Sequence, residues 1–326
     1  MQTKRNAVYQ TYWYLAAERQ NIFFARLCNQ QVQTQDPILR RYKFCNSYRA
    51  SDRVSQFLIK QVIYAGNYSE LDQLFRIMLF RLFNHIGTWE YLSAELGTIS
   101  IDNFDVQLYS QLLNRQLNSG KSIYGNAFIL CANKAFGFER KHDNHLALLH
   151  FVLTSGSAQR LLAAPSLAML VSELKTLPLI GNFMAYQIAI DLNYSELFNF
   201  SENDFTLAGP GALRGIAKAF VDRGDLTPER IIMQMVETQD TEFARYGINF
   251  QTLFGRPLQA IDCQGLFCEL DKYSRVKFPE LASNRVRIKT SYKSTSKPIA
   301  YFYPPKWGIN TRLSQFGQAA QAGPEN

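Results

Sequence analysis

Apolar residues in this chain recur at helical spacing, and that feature excludes most architectures. Leu71, Leu74, Phe75, Met78, Leu79, Leu82 and Phe83 fall at i, i+3, i+4, i+7, i+8, i+11 and i+12, one face of a single helix. Val54, Phe57, Leu58, Val62 and Ile63 form a second stripe, and Leu167, Leu170, Val171 and Leu174 a third. Leu146, Leu148, Leu149, Phe151 and Val152 predict a helix buried on most sides. Thr227-Pro228-Glu229 reads as a helix start: Thr caps, Pro is tolerated in the first turn, and Glu suits the positive end of the dipole. Two-residue alternation is scarce before residue 285, where Val286, Ile288 and the 299–303 run are expected as short strands. A mainly α fold follows, with a short irregular or β C-terminal segment. We expect one large helical domain of two lobes over residues 1–312 and a disordered tail over 313–326.

Composition narrows the class. The chain is 47% hydrophobic and 19% charged, which is globular, and no apolar run is long enough to span a bilayer. Five cysteines, Cys28, Cys45, Cys131, Cys263 and Cys268, are odd in number and lack a C-x2-C pair, so a disulfide scaffold or a zinc ribbon is not expected. The N-terminus MQTKRNAVYQ has no signal-peptide apolar core, and residence in the cytoplasm is expected. Charge is distributed unevenly. Residues 1–60 carry a net +7 and residues 272–312 a net +9, around a middle of −7 over 61–271. Two basic ends suggest a polyanion site, with the middle supplying the core.

Two motif-like stretches fail on inspection. Ser119-Gly120-Lys121-Ser122 has Arg115 where a phosphate loop needs glycine, and no strand precedes it, which argues against a nucleotide kinase. His142, His145 and His150 with Asp143 match no standard metal spacing and read as helix polarity. The 174–185 stretch, LKTLPLIGNFMA, has instead the form of a helix-hairpin-helix, with the whole unit at about 166–220. There Gly181 and Asn182 open the second helix, where backbone N–H groups can meet a DNA phosphate. Asp204 lies 23 residues beyond Gly181, ahead of Ala208-Gly209-Pro210-Gly211-Ala212, which opens a further helix carrying Lys218. This arrangement resembles helix-hairpin-helix DNA glycosylases, whose catalytic Asp sits similarly. Their lyase Lys has no counterpart, because Phe183 stands there. Helix capping is the alternative role for Asp204.

Four segments together resemble the alpha-glutamyl/putrescinyl-thymine pyrophosphorylase family, phage amino-acid (or amine):DNA transferases whose helical domain also occurs beside 5-hydroxymethyluracil DNA kinases. They are Asp36-Pro-Ile-Leu with the 43–56 stretch KFCNSYRASDRVSQ; Leu82-Phe-Asn84 with Thr88-Trp89-Glu90; the 177–216 block; and the 262–273 stretch DCQGLFCELDKY. The likeness runs from about residue 30 to 310. It implies a glycosylase-like helical fold with extra helices, acting on double-stranded DNA that contains modified thymine.

The implied reaction displaces pyrophosphate from 5-(pyrophosphoryloxymethyl)uracil with an amino acid or polyamine. Such chemistry needs cations for the leaving group, a base for the attacking ammonium and a pocket for an extruded nucleotide. Lys43, Arg49 and Arg53, with Asn46 and Gln56, suit the first need. Arg49 and Arg53 share a face if helical, with Asp52 holding one guanidinium. Asp204, aided by Glu202, is the expected base. Asp262, Gln264, Glu269 and Lys272 are further candidates for the substrate, although Glu269 and Lys272 also suit a surface pair. Gly209, Gly211 and Lys218 join Gly181 and Asn182 as expected DNA contacts. No cofactor is assigned; Mg2+ on the pyrophosphate is chemically compatible, without an evident ligand cluster. Trp89 suits either base stacking or core packing. A monofunctional glycosylase and a non-catalytic DNA-binding module are the competing readings, and no membrane role is expected.

Overall fold

The computed structural model describes residues 4–28, 30, 34–127, 133–281, 285–288, 290–293 and 298–322. Each apolar stripe of the sequence becomes a helix. In order these are α1 (Ala7–Leu27), α2 (Pro37–Arg41), α3 (Arg53–Phe57), α4 (Glu70–Phe83), α5 (Ile86–Leu96), α6 (Val106–Asn118), α7 (Lys141–Thr154), α8 (Ser157–Leu162), α9 (Leu167–Thr176), α10 (Asn182–Tyr194), α11 (Pro210–Ala219), α12 (Pro228–Arg245), α13 (Ala260–Lys277) and α14 (Asn310–Ala322). They divide between two compact units. One comprises Met1–Asp52 with Phe205–Asn326, the other Arg53–Asp204.

In the 53–204 unit, the Ser69 hydroxyl accepts from the Asp72 N–H to start α4, and Asn84, left-handed at φ 48°, ends it. Leu74, Phe75, Met78, Leu79, Leu82 and Phe83 are all buried. Helix α10 is buried along residues 184–194 and packs on α9 and α4. The Val54–Ile63 stripe begins as α3 and widens into a π-helical turn at Leu58–Ile63. Its Leu58, Ile59, Val62 and Ile63 are buried.

In the other unit α13 is the central helix, contacted by α1, α11 and α12. Close approach of α11 depends on its glycines. A Cβ on Gly215 would lie 2.1 Å from the Phe267 carbonyl oxygen, and one on Gly211 would lie 2.9 Å from Cys268 Sγ. Tyr9, Tyr12, Trp13, Phe243 and Phe267 fill the adjoining core. Thr227 caps α12 as expected, accepting from the Arg230 N–H, with Pro228 in the first turn.

The strands differ from expectation. Among the described residues the one sheet is a short antiparallel pair of β1 (Lys4–Arg5) and β2 (Phe220–Asp222). The expected 285–303 strands do not form among the described residues; a single bridge joins Tyr42 to Ser291. The 301–307 aromatics pack on one another and on α1 instead: Tyr301 lies edge-on to Phe23 at 5.1 Å, and Tyr303 stacks on Trp307 at 6.0 Å. Much of the expected irregular tail is helix α14, which suits its Gln- and Ala-rich sequence. Residues 323–326 and Cys131 lie outside the described residues.

Candidate substrate and nucleic-acid site

Two of the sequence segments meet in one place. The loop over residues 43–52 lies on α13, held by carboxylates that accept backbone N–H groups. Asp262 accepts from the Gln259 N–H with Oδ2, in the first turn of α13, and from the Arg49 N–H with Oδ1 at 2.8 Å. Glu269, two turns on, accepts from the Cys45 N–H at 3.0 Å. Asp52 accepts from the Asn46 N–H at 2.8 Å and so closes the loop on itself. Side chains complete the fixing: Asn46 donates to the Ser51 carbonyl, Ser47 to the Ala16 carbonyl and Tyr48 to the Arg256 carbonyl.

Cations surround this loop. Lys272 pairs with Glu269 at 2.6 Å and lies 4.5 Å from the centroid of the Phe44 ring. Burial would lower the Lys272 pKa, but the charge and hydrogen bond of Glu269 outweigh it and raise it above the ordinary lysine value. Arg19 is buried on α1 and donates to the Cys45 carbonyl at 2.8 Å and to Asn46 Oδ1 at 3.0 Å. Burial pulls its pKa below the usual arginine value. Lys43 is exposed. Asp52 is pushed up to about 6, because burial, joined by the Glu269 charge, outweighs the Asn46 N–H and the nearby Arg19 and Arg49. A carboxyl with that value takes and gives a proton near neutral pH.

The geometry corrects several expected roles. Arg49 and Arg53 do not share a helix face. A 3-10 turn at Arg49–Ser51 ends in extended backbone at Asp52 (ψ 144°), and α3 starts afresh at Arg53. Arg53 and the buried Gln56 belong to the other unit. Asp262 and Glu269 anchor the loop, and Gln264 is buried, donating to Cys268 Sγ at 3.1 Å. Lys218 is buried and bound to Asp271 at 3.0 Å, so its ammonium is engaged within the protein. Arg214 and Arg275 bind the same carboxylate, which these three cations hold below the usual range against the effect of burial. Gly211 serves helix packing, and Gly209 is the buried cap residue of α11.

Helices α9 and α10 flank residues 177–181. The left-handed residue there is Leu179, at φ 69°, whereas Gly181 has ordinary extended backbone. Gly181 and Asn182 are exposed, and a Cβ on Gly181 would meet nothing within 4 Å. Asp204 is exposed beyond α10, its N–H donating to the Ser201 carbonyl at 3.2 Å. It caps no helix, since α11 starts at Gly209–Pro210; the alternative role falls away. Glu202 is buried.

His142 and His145 are buried in the protein, not on a helix surface. Burial drives His145 down to about 3, and the Tyr124 hydroxyl lies 3.0 Å from its Nδ1. Among the described residues no group of three or more His, Cys, Asp or Glu side chains gathers as metal ligands would. Ser119–Ser122 follow the end of α6, not a strand.

Sequence reasoning missed Arg19, which sits inside an ordinary helical stretch with nothing to mark it. It also missed Asp36 as a site residue. Buried Asp36 caps α2 and accepts from the Tyr14 and Tyr273 hydroxyls at 3.0 and 2.5 Å, beside a cavity of about 600 Å³ lined also by Glu18 and Lys277. The two basic ends do fall together for the most part. The unit built from 1–52 and 205–326 carries 24 of the 35 Lys and Arg residues and 14 of the 27 Asp and Glu residues, a net of +10, against −2 for the other. Arg41 and Lys43 pair backbone to backbone with Tyr292 and Thr290, which joins the two basic segments directly.

Comparison with known proteins adds the following. The family described as "5-hmdU DNA kinase, helical domain" matches residues 6–283. The 5-hmdU DNA kinase of Bacillus phage SP10 is 24% identical over 288 residues, which is 82% of this chain and 45% of that protein. The chain therefore spans less than half the length of that relative. No solved structure matches.

Proposed function

Because the chain belongs to the family of the 5-hmdU DNA kinase helical domain, we propose that it is an enzyme of thymine hypermodification in DNA. Its reaction is displacement of pyrophosphate from 5-(pyrophosphoryloxymethyl)uracil by an amine. The amine nitrogen forms a bond to the exocyclic methylene carbon, the C–O bond to pyrophosphate breaks, and the surplus ammonium proton passes to a carboxylate. Double-stranded DNA and an amino acid or polyamine are the substrates, and the bacterial cytoplasm during phage infection is the place of action. The relative's name describes a kinase. This segment lacks a phosphate loop, so phosphoryl transfer is not assigned to it.

One observation carries the reading: the 43–52 loop and the 262–272 face of α13 meet through N–H···carboxylate hydrogen bonds. That junction holds Arg19 and Arg49 near a carboxyl with a pKa of about 6 and Lys272 on the neighbouring Glu269, in the unit that carries the net positive charge. A departing polyanion is stabilised by cations held in advance of the reaction. Asp52 has the proton affinity to accept from an ammonium near neutral pH. Asp204, exposed and without a capping role, is the second candidate base and the one that faces an extruded base in the glycosylase likeness. Gly181 and Asn182 then contact the phosphodiester backbone through the start of α10.

The test supplies duplex DNA containing 5-(pyrophosphoryloxymethyl)uracil with a mixture of amino acids and polyamines, and reads the digested nucleosides by mass spectrometry. A nucleoside heavier by one donor, with pyrophosphate released, is expected. Of Asp52→Asn and Asp204→Asn, the one that abolishes transfer while DNA binding persists identifies the base. Free base with an abasic site would replace the reading with a glycosylase. DNA binding without turnover, equal in Asp204→Asn, would leave a binding module.

A further inference from the structure

A second cavity, of about 630 Å³, lies within the 53–204 unit. Phe57, Tyr68 and Trp89 supply aromatic walls, Glu90 an exposed carboxylate, and Arg76 a buried guanidinium. Arg76 is 3% exposed. It donates to the Val62 carbonyl at 3.1 Å, the Ile99 carbonyl at 2.5 Å and, at a longer 3.5 Å, the Gln61 carbonyl. The Tyr68 ring centroid lies 3.7 Å from its central carbon and that of Trp89 lies 5.0 Å away.

Carbonyls and rings solvate a cation without neutralising it. Among the described residues no carboxylate lies within ion-pair distance of Arg76. Asp72, the acid whose charge most supports it, accepts instead from the Ile101 N–H and the Ser69 hydroxyl. A guanidinium has five N–H donors; three carbonyls occupy three of them, and the Tyr68 side chain, which supports the charge most, also bonds to it. A buried charge without a counterion is costly, and an anion entering the cavity would relieve that cost.

We propose that this cavity binds a small zwitterion, a free amino acid, with its carboxylate on Arg76, its ammonium toward Glu90 and its body against Tyr68, Phe57 and Trp89. A buried guanidinium favours a carboxylate through a charge-assisted hydrogen bond. Glu90 adds a reason for the ligand to carry an amine as well. A polyamine has no carboxylate for Arg76, and DNA phosphate does not fit a pocket walled by three rings with an acid at its edge. The site deepens the transferase reading by naming where a donor is held. It rests on that reading for its role, but not for the binding itself.

The experiment is isothermal titration of the full chain with L-leucine, L-phenylalanine and L-glutamate, alongside leucinamide, phenylalaninamide and putrescine. At least one amino acid should bind, and its amide should bind about tenfold or more weakly, since the amide loses the charge-assisted contact. Arg76→Gln should lose about tenfold or more in affinity for the amino acid, with Arg76→Lys intermediate. Equal affinity for acid and amide, absence of binding by all three amino acids, or wild-type affinity in Arg76→Gln would each overturn the proposal. Should Arg76→Gln fail to fold, Glu90→Gln serves instead. It should lose the preference for L-phenylalanine over 3-phenylpropionate, and an unchanged preference counts against the site. Amino-acid binding without transfer to DNA would keep the site and reject the reaction; transfer without such binding would do the reverse.

Discussion

Arg81 and Arg76 stand five residues apart on α4, both buried, yet their charges are handled in opposite ways. Arg81 is fully enclosed and forms a two-point ion pair with Asp191 of α10, while its remaining fork reaches Asn84 Oδ1 at 2.7 Å. Arg76 has carbonyls, two aromatic rings and a cavity, but no acid in contact. The first arrangement ties α4 to α10 and, through Asn84, holds the cap of α4. The second leaves a positive charge facing space. Asp271 in the other unit is a third case, one carboxylate shared by three cations. A neutralised buried charge is accounted for by the fold, and an un-neutralised one beside a cavity invites a ligand.

Breaking the neutral pair should have the largest effect. Arg81→Met removes the two-point partner of the buried Asp191 carboxylate, at a cost of about 3–5 kcal/mol in urea unfolding, and adding Asp191→Leu should recover most of it. If the single variant lost under about 1 kcal/mol, the pair would not be the anchor described here. Arg76→Met removes its bonds to carbonyls without stranding an opposite charge, so a smaller loss of about 1–3 kcal/mol is expected. A loss as large as that of Arg81→Met would erase the contrast. Lys218→Met should cost least of the three, about 1 kcal/mol or less, because Arg214 and Arg275 still neutralise Asp271.

Asp52 sharpens the comparison from the acid side. Its folded pKa of about 6 lies above the ordinary 3.8. A raised carboxyl contributes stability that is fully present below the ordinary value and lost as pH rises through about 6. Asparagine keeps an acceptor for the Asn46 N–H without the charge. Asp52→Asn should therefore match the native protein in melting temperature near pH 4 and exceed it near pH 8. A variant less stable at pH 8 would show that the ionised form is favoured by its surroundings after all. In transfer assays activity of the native protein should rise through about pH 6, and Asp52→Asn should lose most of it at every pH.

Much of the framework was legible in the residues. The α4 stripe, the α9 stripe and the Thr227 start depend on neighbours within a few positions, and the chain meets them as read. Local reading misplaced features whose causes lie far away in sequence. The 301–303 aromatics have strand-like composition but pack on α1 and on Trp307, so no partner strand is recruited. Arg49 and Arg53 have helical spacing, yet the Asp52 backbone is extended where the loop closes on Asn46, and the helix is interrupted. Gly211 and Lys218 had the residue types of a phosphate site, but α13 lies against both and takes them for packing and ion pairing.

The candidate site divides along the same line. Lys43, Asn46, Arg49 and Asp52 could be named because they cluster within one short segment. Glu269 and Lys272 could be named because they cluster within another. Arg19 and Arg76 could not, since a lone arginine in an amphipathic helix reads the same whether it meets a carboxylate, a carbonyl or open space.

By itself the sequence determined the helical class, the positions of the main helices and the uneven charge. Each of these follows from periodicity, capping or composition, which act over a few residues. The tertiary structure alone decided that the 43–52 loop rests on α13, that Lys218 is enclosed by Asp271, and that Arg81 is neutralised while Arg76 is not. Those outcomes depend on which distant backbone and side-chain groups are excluded from water together, and burial sets the energy of a charge far more strongly than its neighbours in sequence do.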